Sequence, residues 1–299
     1  FSTAGFERPA DLPDAWNFPW MGFHVPEDRA GRESTSIEAF QHIYGGSGAD
    51  EYDVFYNADR NVYAVSARAS PNTTITGGSG WTHLAEAFYN PSLAASGWDY
   101  LYVAIDKAMR GAQTQCTAYT AAGFIEGFVT QYQITASGAV GAWDRMTTDP
   151  RVKEWLHDHI AHMYAAAANP ESPFYTQLSL HLHQLEGIVA GYNQAVMAFG
   201  GDLVTFKDIF ALNFGEEVGD VVGHFQYRSQ PKKLRGYNPP RHCSALIKIT
   251  ADDLFVSHDT WSSFQSMRRM YKTYAFNTTV ALSGYPGQIA SNDDWYMTS

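Results

Sequence analysis

A basic, proline-rich stretch at residues 229–243 divides the chain. It reads SQPKKLRGYNPPRHC. Proline lacks the amide hydrogen that helix interiors and central strands require, so this stretch predicts an exposed connector. Such connectors are typical of a boundary between structural units. We therefore predict an N-terminal segment over residues 1–242 that ends in the connector, and a second segment over 243–299 that begins at Cys243.

In the first segment, strand patterns precede helix patterns. Residues 1 to about 50 are rich in Pro, Gly and polar side chains, which predicts extended, surface-wrapping structure. Alternating or aromatic-rich runs predict strands at 52–56, 62–66 and 98–105, with a loop at 71–80. Helical spacing then predicts helices at 111–134, from 150 to before 169, at 173–199 and at 206–212. Gly111, Gly123 and Gly127 predict that the first helix packs closely against another element.

Beyond the connector the pattern returns to strands. Residues 244–250 and 254–258 predict two strands joined by a turn at Asp252-Asp253. Thr260 is a candidate cap for a helix from Trp261 to about Tyr274. Short strands are expected at 279–282 and 289–290, around the turn GYPG at 284–287. Segregated strands and helices predict the α+β class.

Charge and composition exclude several classes of protein. The 20 Lys and Arg against 31 Asp and Glu give a net charge of −11, which disfavours binding to a phosphate backbone. No apolar run is long enough to cross a bilayer, and two cysteines do not make a disulfide framework. His157, His159 and His162 share a predicted helix, but their spacing does not place three metal ligands on one face. We predict no nucleic-acid partner, transmembrane segment, cofactor or metal.

Two sequons favour a secretory route. Asn72 and Asn277 each precede Thr-Thr, whereas the similar site at Asn90 is disabled by Pro91. No charged-then-apolar leader precedes Phe1, so we expect that a leader was removed or that the start is missing. Asn72 and Asn277 are the predicted glycosylation sites.

Cys243 is the leading candidate for chemistry. Cleavage of the His242–Cys243 bond would give Cys243 a thiol and a free α-amine on one residue. An α-amine titrates near neutral pH and can act as the general base for the adjacent thiol. That is the logic of an N-terminal nucleophile hydrolase. The alternative is that Cys243 is a small buried hydrophobic residue at the start of a strand.

The motifs around Cys243 resemble the phospholipase B-like family, which includes lysosomal and secreted lamina-ancestor-type proteins. The chain reads CSALIKITADDLFVSHDTWSSFQSMRRMYKTY from Cys243, followed by SGYPGQIASNDDWYM. Cys-Ser-Ala-Leu, His-Asn/Asp-Thr-Trp, Ser-x-Tyr-Pro-Gly and Asp-Asp-Phe/Trp-Tyr occur in the family's order. Upstream, AAGFIEGFVT, SGWDYLYVAI, LEGIVAGYN and LNFGEEVGDVV are also similar to the family. The resemblance covers most of residues 50–299.

The resemblance implies a four-layer αββα N-terminal nucleophile sandwich, made as a precursor that cuts itself between His242 and Cys243. By position, Cys243 is then the nucleophile. Asp259 would orient its α-amine through a charge-assisted hydrogen bond, and His258 would shape the site or move a proton. Asp259 departs from relatives that carry Asn there, and its extra negative charge would disfavour the thiolate unless the α-ammonium offsets it. Trp261 is expected either in the pocket wall or as an ordinary core residue.

The sequence therefore predicts a phospholipase B-like hydrolase of acyl ester or amide bonds, with a lipid or an N-acyl small molecule as substrate. Two alternatives stay open: an N-acyl or peptide amidase of the same fold, and a non-catalytic binding or structural member. The resemblance implies a lysosomal or secreted protein that takes part in lipid degradation. Only 57 residues begin at Cys243, too few for the second half of the sandwich. We expect the fold to be incomplete in this chain, with a C-terminal segment or partner chain completing it.

Overall fold

The computed structural model describes residues 49–111, 114–169, 172–215, 217–229, 243–251, 254–260, 267–290 and 296–298. Within these ranges the chain forms a helix-covered β-sheet and a separate β-hairpin. The α+β class predicted from the sequence is confirmed. The predicted extended structure before residue 49 lies outside the described residues, as does most of the connector.

The main sheet has seven strands in the order β2-β1-β3-β4-β7-β8-β9. Their bounds are β1 Asp50–Asn57, β2 Val62–Ala67, β3 Trp81–Asn90, β4 Asp99–Ile105, β7 Met270–Ala275, β8 Thr279–Gly284 and β9 Tyr296–Thr298. Neighbours pair antiparallel except β4 and β7, which are parallel and in register from Asp99↔Met270 to Ala104↔Ala275. Strands from both sides of the proposed boundary at 242/243 therefore share one sheet. The boundary itself stays a prediction.

Nine helices are described. They are α1 Thr73–Thr76, α2 Leu93–Ser96, α3 Gln115–Val129, α4 Gln131–Ala136, α5 Ala142–Met146, α6 Pro150–Ala167, α7 Pro173–Phe199, α8 Phe206–Asn213 and α9 Val218–Ser229. Side-chain caps fix several helix starts: Asp149 accepts from the Arg151 amide before α6, and Thr205 and Asp208 form a capping box at α8. Helix α7 matches the predicted 173–199, because a proline begins it and Gly200 ends it.

Apolar side chains lie on both faces of the sheet. One face packs against α3 through buried residues that include Val54, Leu101 and Ile125. Behind α3, helices α6, α7 and α8 share a second core that contains Leu156, Ile188 and Ile209. The opposite sheet face carries a smaller buried cluster of Phe88, Tyr102, Ala104 and Ala275.

Helices α3 and α7 cross at backbone contact. A Cβ atom on Gly123 would lie 1.9 Å from the Gln184 carbonyl oxygen, and one on Gly191 would lie 1.8 Å from that of Phe124. Gly127 and Gly187 are equally tight. The predicted close approach is confirmed for Gly123 and Gly127. It is wrong for Gly111, where a Cβ would meet only the Thr114 hydroxyl at 3.6 Å.

Two predicted elements after the connector are wrong. The helix expected from Trp261 to about Tyr274 is replaced at its C-terminal end by strand β7, because these residues complete the centre of the sheet between β4 and β8. Residues 289–290 are not a strand, because Asn213 binds the amide of Ile289 and holds it beside α8. Residues 261–266 lie outside the described part of the chain.

Candidate active site

Cys243 is the first residue of strand β5, Cys243–Ile249, which pairs with β6, Leu254–Thr260, in a two-stranded sheet. The antiparallel register sets Cys243 opposite Thr260, Ser244 opposite Asp259 and Ala245 opposite His258. The backbone of the candidate nucleophile thus lies within two strand positions of both predicted partners. His242 and Trp261 lie outside the described residues, so their predicted roles at the cleavage site and in the pocket stay predictions.

The hairpin of β5 and β6 exposes apolar side chains on both of its faces. Leu246 is 66% exposed, Ile247 65% and Ile249 79%, although successive strand residues point in opposite directions. A strand with apolar residues on both sides is typical of a buried sheet. Within the described chain, however, β5 and β6 pair with each other alone.

A buried ionic cluster joins two of the family-like motifs. Glu126 of α3 accepts from the Lys272 Nζ at 2.5 Å and from the Gly287 amide at 2.9 Å. Its other carboxylate oxygen accepts from the Tyr274 hydroxyl. Lys272 also donates to the Gln288 carbonyl at 2.6 Å. The cluster therefore fixes the GYPG turn to the helix and to the central strand β7.

Burial dominates the electrostatics of this cluster. Glu126 and Lys272 are both 0% exposed. Burial lowers the pKa of Lys272, and the adjacent Glu126 carboxylate opposes that change. Burial and the same carboxylate raise the pKa of the Tyr274 hydroxyl. A buried charge without a partner is costly, so the ion pair lowers the free-energy cost of burying both Glu126 and Lys272.

Sequence reasoning assigned no role to Glu126, Lys272 or Tyr274. The available signal was an acidic residue within the apolar helix run AAGFIEGFVT and a lysine within the aromatic run MYKTYA. Each of these two residues predicts a buried charge. Their pairing becomes visible only in the folded structure, because they lie 146 positions apart in the sequence.

Glu186 belongs to a second buried polar cluster. Its carboxylate accepts from the Tyr164 hydroxyl at 2.7 Å and lies 3.2 Å from the His183 Nδ1. Cys116 lies nearby on α3, where burial raises the pKa of its thiol and a hydrogen bond with Ser179 opposes the change. Cys116 is therefore a half-buried, packed thiol.

His83 holds together a third polar cluster at the edge of the main sheet. Its Nε2 lies 3.1 Å from Asp53 and its Nδ1 3.0 Å from Asp106. Arg68 bonds the same Asp53 and also Glu51 and Glu86. The hydrogen bond with Asp53 is the main reason that the pKa of His83 is raised, although partial burial opposes it. Partial burial raises the pKa of Asp53, but hydrogen bonds from His83 and Arg68 lower it by more. The resulting pKa of Asp53 is about 2.

Among the described residues no group of three or more His, Cys, Asp or Glu is arranged to hold a metal ion. The three histidines considered above lie along α6, where His159 stacks on Trp155 with ring centroids 4.9 Å apart. No helix in the described ranges has the length and hydropathy needed to span a bilayer. Asn72 and Asn277 are both exposed.

The fold and the hairpin register define an α+β protein in which a helix-covered sheet accompanies a hairpin that starts at a cysteine. A model of the Phospholipase B family matches residues 85–299. The chain therefore belongs to that family, as the motifs around Cys243 predicted.

Curated relatives match the chain at modest identity. It is 28% identical over 258 residues to phospholipase B-like protein B of Dictyostelium discoideum, which covers 79% of this chain and 44% of the relative. It is 30% identical over 231 residues to putative phospholipase B-like 1 of Caenorhabditis elegans, with 72% and 39% covered. Human phospholipase B-like 1 is 25% identical over 236 residues, with 72% and 41% covered. The chain thus spans less than half the length of these relatives.

Proposed function

We propose that this chain carries the nucleophile of a phospholipase B-like hydrolase that cuts itself between His242 and Cys243. The observation that carries the proposal is the register of the hairpin. It sets Cys243, the first residue of a strand, opposite Thr260 and within two strand positions of Asp259 and His258. Cleavage would turn the backbone nitrogen of Cys243 into an α-amine at the end of this strand. The family membership of residues 85–299 supports the same assignment.

The proposed reaction proceeds in two steps. The Cys243 thiol gives its proton to the α-amine and attacks the acyl carbonyl, so that an S–C bond forms while the C–O or C–N bond to the leaving group breaks. The α-ammonium protonates the departing alcohol or amine. Water then attacks the thioester, the α-amine takes its proton, and the carboxylic acid leaves with regeneration of the thiol. Both steps need donors that stabilise the oxyanion.

Asp259 and His258 are the proposed supporting residues. A carboxylate near the α-ammonium would hold it through a charge-assisted hydrogen bond and favour its protonated form. The same negative charge would disfavour a nearby thiolate, so the α-ammonium must offset it. His258 is proposed to shape the site or to move a proton, and Trp261 to form part of the pocket wall.

We propose a lipid acyl ester as the substrate, because the family and its relatives carry the name phospholipase B. The mechanism suits an amide equally, so an N-acyl or peptide amidase is the second candidate. A panel of phospholipids assayed beside N-acyl amines separates them. Faster deacylation of phospholipids supports the first function, and turnover of amides alone supports the second.

The four-layer αββα sandwich also belongs to the proposal. The apolar faces of the hairpin are exposed, so we propose that a further sheet covers them. That sheet would come from a segment that corresponds to the unmatched part of the relatives, of which 44% is matched, or from a partner chain. Lysosomal or secreted location is proposed from the exposed sequon residues Asn72 and Asn277.

Mass spectrometry of the purified protein tests the self-cleavage. We expect a new N-terminus at Cys243, and we expect that Cys243→Ala abolishes both cleavage and hydrolysis. Cys116→Ala is the matched control, because Cys116 is the other cysteine and is packed on α3. It should leave cleavage intact.

Cleavage at another bond would overturn the self-processing step. Binding of lipid that persists in Cys243→Ala, together with no measurable hydrolysis by the wild type, would favour the non-catalytic alternative. A folded wild type that hydrolyses substrate without cleavage would contradict the role of the α-amine.

A further inference from the structure

A small groove lies beside the loop that joins β7 to β8. Its volume is about 120 Å³. Six of its lining residues are apolar or aromatic and come from five separate segments of the chain: Ile105, Met109, Ala118, Tyr119, Leu180 and Phe276. Arg110, Gln115, Gln177, Asn277 and Thr278 complete the lining. The groove therefore combines an apolar wall with polar groups at its rim.

The loop at the groove places an acceptor asparagine on its edge. Phe276, Asn277 and Thr278 connect the paired ends Ala275 and Thr279, and the Phe276 amide donates to the Thr278 carbonyl. The Phe276 ring turns inward, where it is 8% exposed and stacks on Tyr119 at 3.9 Å between centroids. Asn277 and Thr278 stay exposed. Asn277 is therefore exposed and belongs to the lining of the groove, next in sequence to the buried Phe276 ring.

The rim offers the hydrogen-bonding groups that a sugar requires. Gln115 and Gln177 present amides, each able to donate and to accept. Arg110 presents a guanidinium, and its Nε donates to the Ile105 carbonyl at 3.1 Å, which fixes the plane of the group. Hydroxyl and acetamido groups pair with such side chains. The C–H surface and the acetyl methyl of an amino sugar suit the apolar wall.

We propose that this groove holds the first N-acetylglucosamine of a glycan attached to Asn277. In the attachment, Nδ2 of Asn277 forms a bond to C1 of the sugar. The bond from C1 to the pyrophosphate of a lipid-linked oligosaccharide donor breaks, and Nδ2 loses one proton. The proposal rests on the secretory route given under the proposed function.

The size of the groove limits its contents to part of one sugar ring. A volume of about 120 Å³ is roughly four times the ~30 Å³ that one water occupies in the liquid. The acetamido group and one edge of the first sugar match this space, and the outer sugars would extend into solvent. The covalent link supplies a high local concentration, so weak contacts suffice to keep the sugar in place.

Asn72 is the internal comparison. It is exposed, and its side-chain oxygen accepts from the Thr74 amide and caps the short helix α1. Its neighbours Thr73 and Thr74 are exposed as well. A glycan on Asn72 is therefore expected to project from the surface.

The test uses the protein secreted from a glycosylating eukaryotic host, in the single-site variants Asn72→Gln and Asn277→Gln. Mass spectrometry should find a glycan on Asn277. Each folded variant is then trimmed either by an endoglycosidase that leaves one N-acetylglucosamine or by an amidase that removes the whole glycan and leaves aspartate at the site. The unglycosylated Asn277→Asp and Asn72→Asp variants measure the effect of that new charge, which is subtracted. At Asn277, we expect the single sugar to preserve the unfolding temperature and complete removal to lower it by about 2–4 °C. At Asn72, neither treatment should change it.

Two further measurements make the result decisive. Gln115→Ala combined with Gln177→Ala should remove the difference between the one-sugar and no-sugar forms at Asn277. Native Asn277 glycan should also resist the amidase several-fold longer than the Asn72 glycan. An unoccupied Asn277 in protein that carries a glycan on Asn72, or equal effects at both sites, would overturn the proposal. None of these readouts depends on the hydrolysis of an acyl substrate by this protein, so failure of the proposed enzyme function leaves them unchanged. Secreted protein without any glycan would instead count against both the groove and the secretory route.

Discussion

Lys272 is fully buried, which is rare for a lysine side chain. Its ammonium group is fully buried and pairs with Glu126 at 2.5 Å. Glu126 in turn holds Tyr274 and the amide of Gly287. Removal of one member leaves the other as an uncompensated buried charge, which costs more than the pair contributes.

We predict that Lys272→Met lowers the free energy of unfolding by about 3–5 kcal/mol. Urea denaturation followed by circular dichroism measures this loss. The matched control is Lys153→Met, because Lys153 pairs with an exposed carboxylate of Asp144. That change should cost less than about 1 kcal/mol.

The double variant Lys272→Met with Glu126→Gln separates the charge from the packing. It removes both charges, so it should be more stable than Lys272→Met alone. Equal losses in the single and double variants would contradict the view that an unpaired Glu126 carboxylate causes the damage.

At the scale of elements, the contact between α3 and α7 depends on glycine. Gly123→Ala would set a methyl group 1.9 Å from the backbone oxygen of Gln184, so the helices must separate. We predict a loss of about 1–3 kcal/mol in the free energy of unfolding, despite the better helix propensity of alanine. Thermal or urea unfolding measures the change.

Gly223→Ala is the control for Gly123→Ala. Gly223 lies within α9, and a Cβ there would meet nothing within 4 Å. This substitution should stabilise the protein by about 0.5–1 kcal/mol, because alanine loses less conformational freedom in a helix. Loss of stability of the same size at both positions would argue against the close helix contact.

Elements with local signals were predictable from the sequence, and elements fixed by distant partners were not. Helix α7 begins at a proline and ends at a glycine, so its bounds were predicted to the residue. Strand β7 was assigned to a helix, because its identity depends on parallel pairing with β4, about 170 residues earlier in the chain. Strand β3 was missed, since WTHLAEAFYN lacks a clean alternation of apolar and polar residues.

The residues of the candidate site also separate into those marked by local motifs and those whose partners are distant in sequence. Cys243, His258 and Asp259 were found through motifs that are close in sequence, and the hairpin register adds that their backbones are close in space. The cluster around Glu126 was missed, because its partners lie 146 to 161 residues away. Local sequence can mark a buried charge, but only the fold identifies what neutralises it.

At the scale of the whole molecule, lowering the pH should change the folding stability through individual histidines, some of which stabilise and others destabilise the fold when they are protonated. The net charge of −11 at neutral pH falls towards zero if all 11 histidines take up protons. His83 lies between Asp53 and Asp106 with a raised pKa. The pKa of His159, which stacks on Trp155, is instead lowered by burial and by the nearby His162. The two side chains should therefore change stability with pH in opposite directions.

His83 should contribute stability in acid. Its folded-state pKa exceeds the unfolded value of about 6.5, so the contribution is complete below pH 6.5 and disappears as the pH rises through the folded value. Arg68, Glu51 and Glu86 lie in the same network. We predict that His83→Gln lowers the unfolding temperature by roughly 1–3 °C at pH 5.5 and by less at pH 8.5.

His159 should show the reverse dependence. Its folded-state pKa lies below 6.5, so its contribution is complete above that value and disappears as the pH falls towards the folded value. His159→Gln should therefore cost more at pH 8.5 than at pH 5.5, as measured by thermal unfolding in the same buffers as for His83→Gln. Because both variants replace histidine by glutamine, a general effect of net charge would move them in the same direction. Opposite slopes can arise only from the local partners of each ring, and parallel slopes would refute the assigned contacts.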